Sequence, residues 1–427
     1  MSECYNEVKE RFLRYVKINT QSANGTGRMP STECQWDLAR VLRDELNEIG
    51  CSDVMLDEKY CVVYGKIPGS PGLAREEPVG LIAHIDTAPD ASGENVKPWV
   101  LENYQGEDIA LNKEKGIVMK AEDFPNLKDY LGQDLVLTDG TTLLGGDDKA
   151  SIAAIMTMAK YLIAHPELPH VPVSIAFTPD EEVGGLAGNL DLTRFGSRTA
   201  YTLDGDHLGY YTDETFNASQ ADVEIYGRSV HTGTAKGIMI NASDIAAEFL
   251  AMLPAAERPQ CTEGREGFYH VTNVNASCEY ARVTLIIRDH DAGKFSEREE
   301  FVRECARKLN EKYCIDAGNG PANVPGTVRC TIKESYRNMK EKIDEVPDLV
   351  PRLVRAIEAC GLEAKTEPFR GGTDGSSLSW RGLPCPNLSA GYENAHGRFE
   401  YVPVQSMEKN VEILLELVKT GSHAMIT

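Results

Sequence analysis

Seven residues of this 427-residue chain are of types that bind or activate through a cation. They are His84 and Asp86 in VGLIAHID, Asp147 in GGDDKAS, Glu181 and Glu182 in FTPDEEVGG, Asp204 in AYTLD, and His396 after NLSAGY. Adjacent acids such as Asp180, Glu181 and Glu182 raise one another's pKa and repel, which costs stability unless something cationic stands opposite. Two imidazoles and three carboxylates without a thiolate make a mixed nitrogen and oxygen donor set. That set suits catalytic zinc, or manganese or cobalt, better than structural zinc. With one carboxylate shared, it satisfies two cocatalytic metals ~3.5–4 Å apart.

Each residue alone also has an ordinary reading. A lone histidine in an apolar strand, as at His84, is usually a hydrogen-bonded core residue. Asp147 and Asp148 suit the N-terminus of the helix that follows them. An Asp-Glu-Glu run is commonly a solvated loop, and His396 sits in a stretch rich in polar residues. The case for chemistry is therefore joint. It is strengthened by what is missing: HExxH, GxSxG, the P-loop and GxGxxG do not occur.

The elements that must carry these residues are legible. Helical periodicity runs over 4–17 and 34–49, where Leu38, Leu42, Leu46 and Ile49 share a face and Gly50 stands at the C′ position. Apolar runs at 60–67, 79–86, 171–179 and 200–204 read as buried strands, with a helix from Lys149 to Ile163 between the second and third. Strands alternating with helices predict an α/β domain with a mixed, largely parallel sheet and helices on both faces. The candidate ligands then fall at the C-terminal ends of strands, the edge at which open α/β sheets bind ligands. His165 and His170 flank a loop away from that edge and are expected at the surface.

After about residue 215 the texture changes. ADVEIYGRSV and ARVTLIIRD alternate apolar and polar residues, helical patterns cover 241–253 and 293–313, and TVRCTIKES follows a loop at 316–326. This predicts an inserted α+β domain with an antiparallel sheet. The parse is a first domain segment at 1–214, an insertion at 215–333 and a second segment of the first domain at 334–427.

Forty-four basic and 66 acidic residues give a net charge of −22, which argues against nucleic-acid or anionic-membrane partners. No run of about 18 apolar residues suggests a membrane span, and the N-terminus reads as an amphipathic helix rather than a signal peptide. The 11 cysteines are scattered, never as CxxC, which suits reduced thiols in a cytoplasm. Cys314 and Cys330 could pair, although buried apolar thiols are the simpler reading.

In order, HIDTAPD, LLGGDDKAS, FTPDEEVGG, YTLDG, VHTGTAKG, IIRDHD, RGGTDGSSLS and GLPCPNLSAGYENAHG resemble the peptidase T group of tripeptide aminopeptidases. That group lies within the large dinuclear-zinc family that includes carboxypeptidase G and aminoacylase. The likeness spans about Phe12 to Leu417. It implies a cytoplasmic hydrolase that takes small peptides, carries two Zn²⁺ per chain (Co²⁺ or Mn²⁺ as substitutes) and exists as a monomer or homodimer. A dipeptidase or N-acyl-amino-acid amidohydrolase with the same metals is the sibling reading. A non-catalytic metal- or peptide-binding relative is the reading from another class.

Residue by residue, the resemblance implies that Asp147 bridges both metals. His84 and Asp204 complete one site, and Glu182 and His396 the other. Glu181 becomes the general base and Asp86 the acid that orients His84. The inserted domain becomes a lid, on which His231 would stabilise the oxyanion and Arg288 would grip a peptide carboxylate. Gly205-Asp206-His207 departs from the family's glycines and is read as a solvated turn. Asp180 receives no firm role.

Overall fold

The computed structural model describes residues 2–185, 187–313 and 327–419. Contacts divide the chain into two compact units: Met1–Asp213 with Met339–Glu367 and Thr373–Thr427, and Glu214–Asn338 with Pro368–Gly372.

The first unit is built on an eight-stranded sheet. Its strands are β1 (Ser52–Asp57), β2 (Val62–Ile67), β3 (Val79–His84), β4 (Val173–Thr178), β5 (Ala200–Leu203), β6 (Tyr210–Thr212), β7 (Lys365–Thr366) and β8 (Asn387–Leu388), in the order β1-β2-β4-β3-β5-β8-β6-β7. The centre is parallel, β4 with β3, β3 with β5 and β5 with β8, while β1 and β2 add antiparallel pairs at one side.

Successive side chains of a strand point to opposite faces, which explains the continuous apolar runs. Val63, Leu81, Ala83, Ile175, Phe177 and Tyr201 enter the main core, whereas Val62, Tyr64, Ile82, Ala176 and Ala200 enter a second core beyond the sheet. Helices that share the main core include α1 (Ser2–Tyr15), α2 (Gln35–Ile49), α3 (Gly146–Ala164) and α4 (Val404–Val418), joined by Leu353 and Ile357 of the helix Leu349–Ala359. Nearly every residue of α3 is buried, as its apolar circumference demands. Gly50 ends α2 at φ 96°, the left-handed conformation expected of it.

The second unit has a four-stranded antiparallel sheet. Its order is Phe268–Ala276, Tyr280–Asp289, Asn217–Tyr226 and Val328–Tyr336. Val223, Ile225, Val283 and Leu285 pack with Ile245 and Phe249 of the helix Ala242–Met252 and with Val302 and Leu309 of the helix Ala292–Tyr313.

Some sequence expectations shift. The strands at β1 and Phe268–Ala276 were not foreseen, nor was a small sheet of Trp99–Leu101, Leu135–Leu137 and Val402–Pro403. His170 is buried rather than at the surface: its backbone pairs with Ser70, and its Nδ1 lies 2.9 Å from the Val171 carbonyl. His165 is half-buried, its ring Nδ1 3.1 Å from Glu167 Oε1. Cys314 and the loop 316–326 lie outside the described residues. Among those residues, no helix is long and apolar enough to cross a membrane.

Candidate metal centre

The parallel strands β3, β4 and β5 deliver their C-terminal ends to one edge, and the loops that leave them carry the ionisable residues. His84 is the last residue of β3, Glu181 and Glu182 form a short turn just beyond β4, and Asp204 follows β5 directly. Asp204 is fixed by its N–H, which donates to the Leu388 carbonyl of β8 at 2.8 Å. Asp147 lies in the first turn of α3. It reaches the site because Gly146 lets the chain pass close to its neighbours: a Cβ there would sit 2.5 Å from Val402 Cγ2 and 2.9 Å from Glu400 Oε1.

Two triads with converging ligand atoms result. His84, Asp147 and Asp204 form one, Asp147, Glu182 and His396 the other, with the ligand atoms of each within 4.8 Å of one another. Asp147 belongs to both. Its Oδ1 lies 2.9 Å from His84 Nε2 and its Oδ2 3.2 Å from His396 Nε2. His396 Nε2 is also 3.0 Å from Glu182 Oε2. Each oxygen of one carboxylate thus faces a different histidine.

The electrostatics are those of an acid cluster in want of cations. Burial, then repulsion from Asp147, pushes Glu182 up to about 7 and Asp204 up to about 6. Glu181 is driven well above the usual carboxylate range by burial and by Asp204, with Asp374 and Glu182 adding to it. In contrast, hydrogen bonds from the two histidines outweigh burial at Asp147 and hold it below that range. His396, bonded to Asp147 and Glu182, is raised to about 11. Glu182 Oε1 is buried and without a hydrogen-bond partner. An unpaired buried carboxylate oxygen is costly, and a divalent cation is a natural partner for it. Nitrogen and carboxylate donors without thiolate therefore fit a pair of divalent metals of the zinc, cobalt or manganese kind.

The orienting groups are also in place. Asp86 is fully buried. Its backbone oxygen lies 3.1 Å from His84 Nδ1 and its Oδ1 3.4 Å from the same nitrogen. The same carboxylate accepts the N–H groups of Glu181 at 3.0 Å and Glu182 at 3.2 Å, so one acid seats both the histidine and the acidic turn. Asp180 binds elsewhere: it accepts the Ser31 N–H at 2.7 Å and the Gln35 Nε2 at 2.7 Å, tying the turn to the start of α2.

Sequence reasoning missed several contributors. Buried Glu400 accepts N–H groups from Leu144 and Gly145 at 2.8 Å each and from Asp147 at 3.0 Å, which sets the loop before α3. Tyr392 donates to Asp204 Oδ1 at 2.8 Å. Asp374, buried beside the cluster, accepts from Thr178 Oγ1 at 3.0 Å. An acid inside the apolar run FEYVPV was the available signal for Glu400, and a tyrosine four residues before His396 that for Tyr392.

His231 and Arg288 belong to the second unit. His231 is exposed and its Nδ1 accepts the Gly233 N–H at 3.1 Å. Arg288 is partly buried, donates to the carbonyls of Ser219 and Ile287, and lies over the Tyr336 ring at 5.4 Å.

A family model described as a peptidase dimerisation domain matches residues 213–315. A protein of Clostridium botulinum (strain Loch Maree / Type A3) named Peptidase T is 47% identical over 414 residues, covering 97% of this chain and 98% of its own. Among solved structures, the aminopeptidase PepT from Bacillus cereus ATCC 10987 matches with a TM-score of 0.74 at 19% identity, over 97% of this chain and 98% of that one. A tripeptidase from Staphylococcus aureus subsp. aureus Mu50 matches with a TM-score of 0.73 at 21% identity, over the same shares. These two structures share the fold.

Proposed function

This chain belongs to the peptidase T family, and on that premise we propose that it is a dinuclear metallo-aminopeptidase that releases the N-terminal residue of tripeptides. The observation that carries the reading is Asp147, whose two oxygens face His84 and His396 in two overlapping triads. His84 and Asp204 would hold one ion, Glu182 and His396 the other, and Asp147 both. Zinc is the ion proposed, with cobalt or manganese as substitutes. Bound between these groups, the ions would supply Lewis acidity and lower the pKa of a bound water toward neutrality.

The remaining work falls to the chain's own residues. Glu181 adjoins a ligand in sequence, and its backbone is seated on Asp86. Its carboxylate would accept a proton from water and hand it to the leaving amine, a task suited to a carboxyl that burial raises above its ordinary range. Asp86 would keep His84 in one orientation, Tyr392 would do the same for Asp204, and Glu400 would hold the backbone of Asp147. His231 is proposed to stabilise the oxyanion and Arg288 to bind the peptide carboxylate, roles that rest on the resemblance of VHTGTAKG and IIRDHD. In this reading Met1–Asp213, Met339–Glu367 and Thr373–Thr427 form the catalytic domain, and Glu214–Asn338 with Pro368–Gly372 the lid, which runs past the expected boundary at 333 because the strand Val328–Tyr336 completes its sheet. The dimerisation-domain match supports a homodimer, the net charge of −22 argues against nucleic-acid partners, and the scattered cysteines, never as CxxC, support a cytoplasmic enzyme.

Substrate profiling tests the assignment. Free tripeptides should be cut far faster than dipeptides or N-acetylated amino acids. Preference for the acylated compounds would transfer the chain to the amidohydrolase reading.

A further inference from the structure

The loop after β5 and the loop that carries His396 meet at a buried carboxylate that the mechanism above does not use. Glu393 is 2% exposed yet bears a full acid. Its Oε1 lies 2.7 Å from His207 Nδ1 and accepts the Tyr130 hydroxyl, while its Oε2 accepts Asn126 Nδ2 at 2.8 Å. Asn126 Nδ2 also reaches Asn394 Oδ1 at 3.1 Å, and Asn394 Nδ2 donates to the Phe399 carbonyl at 3.2 Å. Backbone bonds with Tyr401, at 2.9 and 3.1 Å, fix Glu393 itself.

Three non-glycine residues around this acid have positive φ: His207 at 26°, Asn394 at 56° and His396 at 63°. L-residues adopt such angles at a cost and hold them where side-chain contacts over-determine the backbone. The turn Gly205-Asp206-His207, expected to be merely solvated, is thus anchored at one end: His207 is half exposed, but its Nδ1 faces the buried acid. Asp204 lies three residues before His207, and His396 three residues after Glu393. Tyr392, next to Glu393, donates to Asp204.

We propose that Glu393, with His207, Tyr130 and Asn126 as its partners, is a positioning residue that locks the Asp204 loop to the His396 loop and so fixes the spacing of the two metal sites. The inference rests on the dinuclear reading. His207 is the partner of Glu393 that comes from the Asp204 loop, since Tyr130 and Asn126 both come from the segment before α3; it adds to the Tyr392–Asp204 bond and to the bonds from the Ala390 and Gly391 N–H groups to the Gly205 carbonyl. Loss of His207 removes the side-chain link to Glu393, three residues before His396, while leaving those other bonds and the His84 side intact. The second ion, held by Glu182 and His396, should therefore weaken selectively.

The test is zinc binding to the metal-depleted full-length chain, followed by calorimetric titration. His207→Ala is expected to raise the Kd of the weaker of two sites by about 10–100-fold, as for other groups that orient ligands. The tighter site and the thermal midpoint of the metal-free protein should stay at wild-type values. His207→Asn, whose amide can replace Nδ1 and whose backbone tolerates positive φ, should restore the second site. Wild-type affinity at both sites in His207→Ala, or equal weakening of both, overturns the clamp. A wild-type chain that takes up fewer than two ions overturns the dinuclear reading beneath it.

Discussion

Glu181 and Asp180 are neighbours with opposite tasks, and substitutions separate them. Glu181→Gln keeps the shape and removes the proposed base. Its kcat for a tripeptide should fall by about 10²–10⁴-fold, with bound metal, measured by elemental analysis, unchanged. Wild-type turnover in that variant would remove Glu181 from the chemistry. Asp180→Ala instead strips the acceptor from Ser31 and Gln35, and should lower stability by about 1–3 kcal/mol in denaturant titrations. The candidate ligands were readable because histidines and acids recur where apolar runs end. Asp180 was not, since its partners lie 149 and 145 residues away in sequence. Glu400 and Glu393 stayed hidden for a related reason: a buried acid is recognised by the N–H and O–H groups around it, and those come from distant segments.

Element packing sets two further expectations. Gly80 of β3 faces Ala200 of β5 and Phe195 so closely that an added Cβ would sit 2.7 Å from both. Gly80→Ala should cost about 1–3 kcal/mol by overpacking, read as a lowered thermal midpoint. At the helix layer, Glu45 of α2 accepts from Arg11 and Tyr15 of α1 at 2.7 and 2.6 Å. Burial raises the Glu45 carboxyl, but the bonds from Tyr15 and Arg11 outweigh it and hold the group below its ordinary 4.5. A carboxyl lowered on folding stabilises fully above its unfolded pKa and loses that contribution as pH falls through the folded value. Wild type should therefore exceed Glu45→Gln in stability at pH 7, and the difference should shrink below about pH 4.5. A pH-independent difference would refute the linkage. The strands at β1 and Phe268–Ala276 escaped the pattern reading because they are edge strands: the second is mostly exposed after Tyr269 and shows no clean alternation. The three-residue strands of the small sheet are too short for any periodicity to register.

For the whole molecule, the proposed metal site in the buried acid cluster should link stability to bound ions. Ligands that bind only the folded state stabilise it by about 2.7 kcal/mol per site at a hundredfold excess over Kd. A chelator should therefore lower the thermal midpoint as well as abolish turnover, and added zinc should restore both. The overall fold class was legible from the shift between continuous and alternating apolar runs, since that shift follows from burial on two faces or one. The central claim is that two ions sharing Asp147 drive tripeptide hydrolysis. Metal-depleted protein titrated with zinc, with bound ion and tripeptide cleavage followed together, tests it directly. Turnover should be absent without metal and activity should plateau at two ions per chain; full activity in the metal-free chain would contradict hydrolysis by two ions sharing Asp147.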